Sequence, residues 1–114
     1  MQGRKGITSP TRAQTARATV KERELQDAVV EMALLLGYLV YHTHDSRHSA
    51  KGFPDLVLCK PRRLIFAELK DEHRAVTKEQ EQWLEALRAC GLETWVWRPE
   101  SWTSGLVEQV LRKR

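Results

Sequence analysis

A chain of 114 residues suffices for one domain with an adequate core, and 41% hydrophobic with 30% charged residues describes a globular rather than a disordered protein. The longest apolar stretch, around Met32-Ala33-Leu34-Leu35-Leu36, is far too short to span a bilayer, and the first residues lack the hydrophobic segment of a signal peptide. Cys59 and Cys90 stand apart with no C-x-x-C pairing, which fits a reduced, cytoplasmic-type compartment.

In chain order, residues 1–18 have no apolar periodicity and read as a flexible basic tail. They hold Arg4, Lys5, Arg12 and Arg17 without an acid, while the remaining basic residues equal the 15 acidic ones, so the whole net charge of +4 sits where it can meet a polyanion or simply aid solubility. Thr19 and Glu22 form a Thr-x-x-Glu capping box, which predicts a helix over 20–36 with Leu25, Val29, Met32 and Leu36 on one face and Gly37 as its stop. A first strand over 38–42 leads into a polar, mobile loop over 43–52. Strands over 55–59 and 64–70 follow, joined by the short turn Lys60-Pro61-Arg62-Arg63. Residues 71–76 form a charged connector, and Thr77-Lys78-Glu79-Gln80 is a second capping box. It opens a helix to about residue 89 with Trp83, Leu84 and Leu87 on the buried face. Cys90-Gly91 ends that helix, a fourth strand over 93–98 stops at Pro99, and Ser101 or Ser104 caps a last helix carrying Leu106, Val107, Val110 and Leu111. The order αβββαβα predicts an α/β (α+β) fold: a mixed sheet flanked by helices.

The chemistry concentrates in Gly52-Phe53-Pro54-Asp55-Leu56 and Glu68-Leu69-Lys70. Strand side chains alternate between faces, so Glu68 and Lys70 point the same way, and Asp55 opens the neighbouring strand. Two carboxylates and an ammonium at the edge of an otherwise apolar sheet cost free energy unless something uses them. A hard divalent cation takes oxygen ligands, and Mg²⁺ needs only one or two protein carboxylates beside water and phosphate. The lysine offers a point charge to a developing oxyanion, or orients a water. Together these are the outline of a phosphodiester-cleaving site. Each fragment also has an ordinary reading, the aspartate as a turn residue and Glu-x-Lys as a solvated face. Gly52 permits close backbone passage, and Pro54 biases Phe53 towards extended geometry ahead of Asp55.

With Glu22-Arg23-Glu24-Leu25-Gln26 on the first helix and Gln80-Glu81-Gln82-Trp83-Leu84 on the second, these motifs resemble the VRR-NUC family of compact nucleases in the PD-(D/E)xK superfamily, over residues 20–97. The resemblance implies a restriction-endonuclease-like αβββαβ core within residues 19–114. It further implies Mg²⁺- or Mn²⁺-dependent cleavage of DNA to 5′-phosphate and 3′-hydroxyl ends. Asp55, Glu68 and Lys70 carry over as catalytic, with Glu22 and Gln80 supporting them. Asp55, Glu68, Glu22 and the Leu69 carbonyl become the donors to one or two cations. Stand-alone members are similar in role to Holliday-junction resolvases that work as symmetric dimers, so the implied function is a structure-selective endonuclease on branched DNA. A flap or nicking nuclease, or a non-catalytic DNA-binding or assembly subunit, is the alternative.

Several residues keep two readings. Glu22 is either a site residue or the capping-box partner of Thr19, and Gln80 is likewise a site amide or the partner of Thr77. His42, His44, His48 and Asp45 have the composition of a zinc site, but no other fixed ligand accompanies them, and phosphate contact or plain exposure is the preferred reading. His73 reads as exposed. Trp83 reads as core. Trp95 and Trp97 share one strand face which, with the apolar face of the last helix, offers more hydrophobic surface than a small core needs and suggests a homodimer. Trp102 is the tryptophan left for a partner surface.

Overall fold

The computed structural model of the chain describes residues 12–43 and 50–113, with side chains from Lys21 onward. Its elements are α1 (Arg12–Leu35), β1 (Leu39–His42), β2 (Leu56–Lys60), β3 (Arg63–Leu69), α2 (Lys78–Ala89), β4 (Glu93–Trp97), α3 (Pro99–Thr103) and α4 (Leu106–Arg112). The strands form one mixed sheet in the order β1-β2-β3-β4. The first three are antiparallel neighbours and β4 adds parallel to β3, which makes the sheet mixed as expected.

Strand ends agree with the sequence reading to within a residue, but the helices do not all agree. α1 begins at Arg12, so Thr19 and Glu22 lie inside it and form no capping box. Arg, Ala and Gln are strong helix formers and carry the backbone through residues 12–18 without an apolar face. Residues 1–11 of the expected tail lie outside the described residues, as do His44, Asp45, Arg47 and His48 of the loop. The C-terminal end of α1 is as expected: Gly37 sits at φ 93, Gly37 N–H donates to Leu34 O at 3.1 Å and Tyr38 N–H to Ala33 O at 2.9 Å, a Schellman turn that aims the chain into β1. α3 is an unforeseen short helix. Pro99 ends β4 as expected but also occupies the first helical turn, for which its fixed φ is suited. Gly105, not Ser101 or Ser104, is the N-cap of α4.

One sheet face carries Leu56, Leu58, Ile65, Ala67, Leu69 and Trp97, and packs on Leu25, Val29 and Ala33 of α1 and Val107, Val110 and Leu111 of α4. The buried side chains of α1 recur every fourth residue, one stripe of a helix. Trp97 is 0% exposed and Trp95 stacks on it with centroids 6.2 Å apart. The tryptophan pair and the last helix therefore complete the chain's own core, and the surplus surface inferred for a dimer is not there. Trp102 also packs against this core, half-buried. Large exposed apolar side chains cluster elsewhere: Leu34, Leu35 (80% exposed), Leu39 (77%) and Tyr41, at the end of α1 and on the edge strand β1.

α2 covers the opposite face only in part. Leu84 is its buried residue, while Trp83 is half-buried and meets Phe53 edge-on at 5.0 Å. Phe53 in turn sits edge-on to Phe66 of β3 at 6.1 Å, so this aromatic column ties the loop before β2 to both α2 and the sheet.

Candidate functional site

The pairing scheme assembles the site. β2 runs antiparallel to β3 with Leu56 opposite Ala67, so the next pair along places Asp55 opposite Glu68. β3 and β4 run parallel and end together, and Lys70 N–H donates to Trp97 O at 3.0 Å, one rung past the end of β3. Phe66, Glu68 and Lys70 alternate onto the α2 face, where Gln80 stands in the first turn of α2.

Gln80 makes the capping box and also contacts Glu68. Its Oε1 accepts the Thr77 N–H at 2.9 Å and Thr77 Oγ1 accepts the Gln80 N–H at 3.2 Å, a complete capping box. With its side-chain carbonyl so engaged, the amide nitrogen is left to donate, and Gln80 Nε2 reaches Glu68 Oε2 at 2.9 Å. Gly52 makes this approach possible. It holds φ 90, and a Cβ there would lie 2.4 Å from Glu79 C and 2.7 Å from Gln80 N. Only glycine lets the loop touch the α2 backbone at the turn that carries Gln80.

Asp55 is fixed by Leu69, whose N–H donates to Asp55 Oδ2 at 2.9 Å, while the Leu69 side chain is buried in the core. Glu68 is 2% exposed. Among the described residues its Oε1 is buried with no hydrogen-bond partner. Burial first, then the facing Asp55 carboxylate, pushes the Glu68 carboxyl up to about 8 against the pull of Lys70, and the charge of Glu22 adds to the rise. Lys70 is itself buried. Glu22 reaches the same group from α1: burial raises its carboxyl above the ordinary value, Lys70 and Arg74 oppose the rise, and Asp55 and Asp71 reinforce it. With Thr19 inside the helix, the capping explanation for Glu22 is gone.

A divalent cation suits this arrangement. Two opposed carboxylates, one with a buried and unpartnered oxygen and a proton affinity far above that of an ordinary acid, are a poor pair alone and a good pair around positive charge. Among the described residues no group of three or more His, Cys, Asp or Glu side chains is disposed to hold a metal. A site built on few protein carboxylates agrees with Mg²⁺, which keeps several waters, and not with a closed zinc cage. Of the histidines weighed for zinc, His42 ends β1 and has partners of its own, and His44 and His48 lie outside the described residues. His73 is exposed, as expected.

One neighbour went unnoticed in the sequence. Asp71, directly after Lys70, is 4% exposed, although it opens a run of charges that reads as a solvated connector. The run hides it because only long-range contacts decide which of its charges turns inward.

A family model described as the VRR-NUC domain matches residues 9–99. A solved structure described as a VRR_NUC domain is similar at 30% identity and a TM-score of 0.64, over 77% of this chain and 95% of that one. A second, described as a VRR_NUC domain protein, shares the fold at 19% identity and a TM-score of 0.61, over 78% and 86%. No curated protein matches significantly. Among the described residues no helix is long and apolar enough to cross a membrane.

Proposed function

The chain belongs to the VRR-NUC family of nucleases, and on that premise we propose that it is a metal-dependent, structure-selective DNA endonuclease that cuts Holliday junctions or similar branched DNA. The observation that carries the metal-dependent reading is Glu68: a buried carboxylate facing Asp55, one oxygen held by Gln80 and the other without a partner. The branched substrate rests on the resemblance to stand-alone family members.

Asp55 and Glu68 would hold Mg²⁺ or Mn²⁺, with the Leu69 carbonyl as a further oxygen donor, and the ion would supply Lewis acidity and a nucleophilic water at neutral pH. Among the described residues Glu22 forms no three-carboxylate group with them, and it would act on a metal-bound water instead. The residues of the chain do the rest. Leu69 N–H and Gln80 Nε2 each fix one carboxylate oxygen, so the remaining two are oriented before substrate arrives. Lys70 aligns the attacking water and opposes the charge gathering on the phosphoryl oxygens. Water oxygen bonds to phosphorus, the bond to O3′ breaks, and the proton lost by water ends on that oxygen. A 5′-phosphate and a 3′-hydroxyl result. The test is cleavage of a four-way junction, a flap and a plain duplex by the purified protein, with Mg²⁺ or with EDTA. Mg²⁺-dependent cutting of the junction is expected. Cutting that persists in EDTA rejects the metal, and a preference for the flap replaces the substrate.

The partner proposed at the surface is a second copy. β1 is an edge strand of sequence Leu39-Val40-Tyr41-His42, without the lysine, proline or bulge that usually protects an edge, and its Leu39 and Tyr41 are exposed. Two such edges paired antiparallel across a twofold axis keep both sites on one face of a continuous sheet, towards one DNA. Light scattering should give a dimer for the parent chain and a monomer for Leu39→Asp/Tyr41→Asp. A parent monomer at tens of micromolar would remove this proposal.

A further inference from the structure

Residues 71–76 form neither helix nor strand, yet they join the elements that bring Lys70 and Gln80 to Glu68. Holding irregular backbone still costs about 1–2 kcal/mol per residue, and residues 72–75 are exposed, so packing does not restrain them. Hydrogen bonds do. The β3–β4 ladder reaches Lys70 through Trp97 O, and the next residue, Arg98, extends it with a side chain. Arg98 Nη1 donates to Asp71 O at 2.6 Å and to Arg74 O at 2.7 Å. Arg98 is anchored in turn, its N–H donating to Ser101 Oγ at 3.0 Å in α3. Glu100 N–H also reaches Glu72 Oε1 at 3.4 Å. Within the connector Asp71 Oδ1 accepts the His73 N–H at 2.6 Å, and Arg74 Nε stands 3.6 Å from Asp71 Oδ2, an ion pair too long for a hydrogen bond.

From this geometry we infer that Arg98 is a positioning residue: with its backbone tethered to α3, its guanidinium holds the connector so that Lys70 and Gln80 act on Glu68 together. The contacts of Arg98 are to backbone carbonyls on both sides of the connector's turn, so it acts through Lys70 and not on the scissile phosphate. The inference rests on the nuclease reading. It also gives α3 a role that packing alone does not, since this short helix follows directly on β4 and presents Ser101 to Arg98.

The test compares the full-length parent with Arg98→Met and Arg98→Lys, reading kcat, KM and melting temperature with the DNA that the parent cleaves, well below every melting midpoint. Arg98→Met should lose about ten- to a hundredfold in kcat, as expected for a small misplacement of catalytic groups, with KM within about twofold. Arg98→Lys, or methylguanidinium added to Arg98→Met, should restore part of the loss. Parent-like kcat in folded Arg98→Met overturns the inference. So does a loss confined to KM, which marks a phosphate contact, or one that only tracks the unfolded fraction. Should Arg98→Met not fold, Arg98→Lys decides: reduced kcat with unchanged KM supports the role, and parent-like kcat removes it. Should the parent cleave nothing, the nuclease reading fails instead. Amide hydrogen exchange then still tests the clamp: faster exchange at residues 70–74 in Arg98→Lys supports it, and unchanged exchange refutes it.

Discussion

β3 carries a charged cluster at each end, and the two are settled in opposite ways. At its start Arg63 spends its donors on four acceptors: both Glu93 oxygens at 3.2 and 2.9 Å, the Tyr38 hydroxyl at 3.3 Å and the Lys113 carbonyl. Glu93 also accepts from Trp95 Nε1 at 2.8 Å, and the Tyr38 hydroxyl donates to Leu111 O at 2.8 Å. Burial alone would raise the Glu93 carboxyl, but the bonds from Arg63 and Trp95 hold it below its ordinary value. At the other end Glu68 faces another carboxylate, leaves one oxygen without a partner and is pushed up to about 8. The first cluster is complete and ties β3, β4 and the C-terminal segment together. The second leaves a buried carboxylate oxygen without a partner among the described residues, and the proposed cation would supply one. On that proposal, saturation distinguishes the structural cluster from the functional one.

That contrast should break cleanly under mutation. Asp55→Asn, Glu68→Gln and Lys70→Ala are each expected to lower single-turnover cleavage by at least about a thousandfold. The metal-free melting temperature should not fall in Asp55→Asn and should rise in Glu68→Gln, whereas Lys70→Ala, which removes a buried charge facing carboxylates, should lower it modestly. Arg63→Met is expected to do the reverse. It leaves Glu93 half-buried without its partner and should cost about 1–3 kcal/mol in urea denaturation, discounted for the solvent that still reaches Glu93. Its cleavage rate per folded molecule should match the parent. A Glu68→Gln protein that cuts normally, or an Arg63→Met protein that is stable but inactive, would erase the distinction.

A gentler way to disturb the site is from behind. Gly52→Ala strains a backbone at φ 90 and drives a methyl into the Glu79–Gln80 peptide. A loss of about 1–2 kcal/mol is expected, with kcat lowered about tenfold as Gln80 is moved off Glu68. Full activity in a folded Gly52→Ala protein would show that the Gln80–Glu68 bond is dispensable.

The smallest effect is on the pH dependence of metal-free stability, and its sign differs between the two clusters. Glu68 moves from 4.5 to about 8 on folding, so below 4.5 it is protonated in both states and above about 8 ionised in both. Between these values the folded state binds the extra proton, and stability declines as pH rises. Glu93 is lowered, so its contribution is present above the ordinary carboxylate range and fades as pH falls through its lowered value. Melting curves from pH 4.5 to 8 should therefore flatten in Glu68→Gln. An unchanged slope would mean that Glu68 is ionised in the metal-free fold.

Much of this was legible in the residues. The apolar run Leu64-Ile65-Phe66-Ala67 and the turn at Pro61 locate the hairpin, and Thr77 with Gln80 locates the start of α2, because each is a local pattern. Glu68, Lys70 and Asp55 could be put at one sheet end from strand order alone. What escaped is long-range or compensating. Arg63 and Glu93 lie 30 residues apart and look like ordinary surface charges until the parallel pairing joins them. Trp95 and Trp97 looked surplus because α4 was not known to close over that face. Residues 12–18 are helical by composition rather than by pattern, and no apolar stripe marks that first part of α1.

The most direct measurement is calorimetric titration of the DNA-free protein with Mn²⁺ near neutral pH, in buffers of different ionisation enthalpy. If Glu68 is a protonated acid waiting for a cation, binding to the parent should release about one proton, and Glu68→Gln should lose both the high-affinity binding and the release. Equal binding and equal proton release in Glu68→Gln would contradict the assignment of Glu68 as the centre of the site.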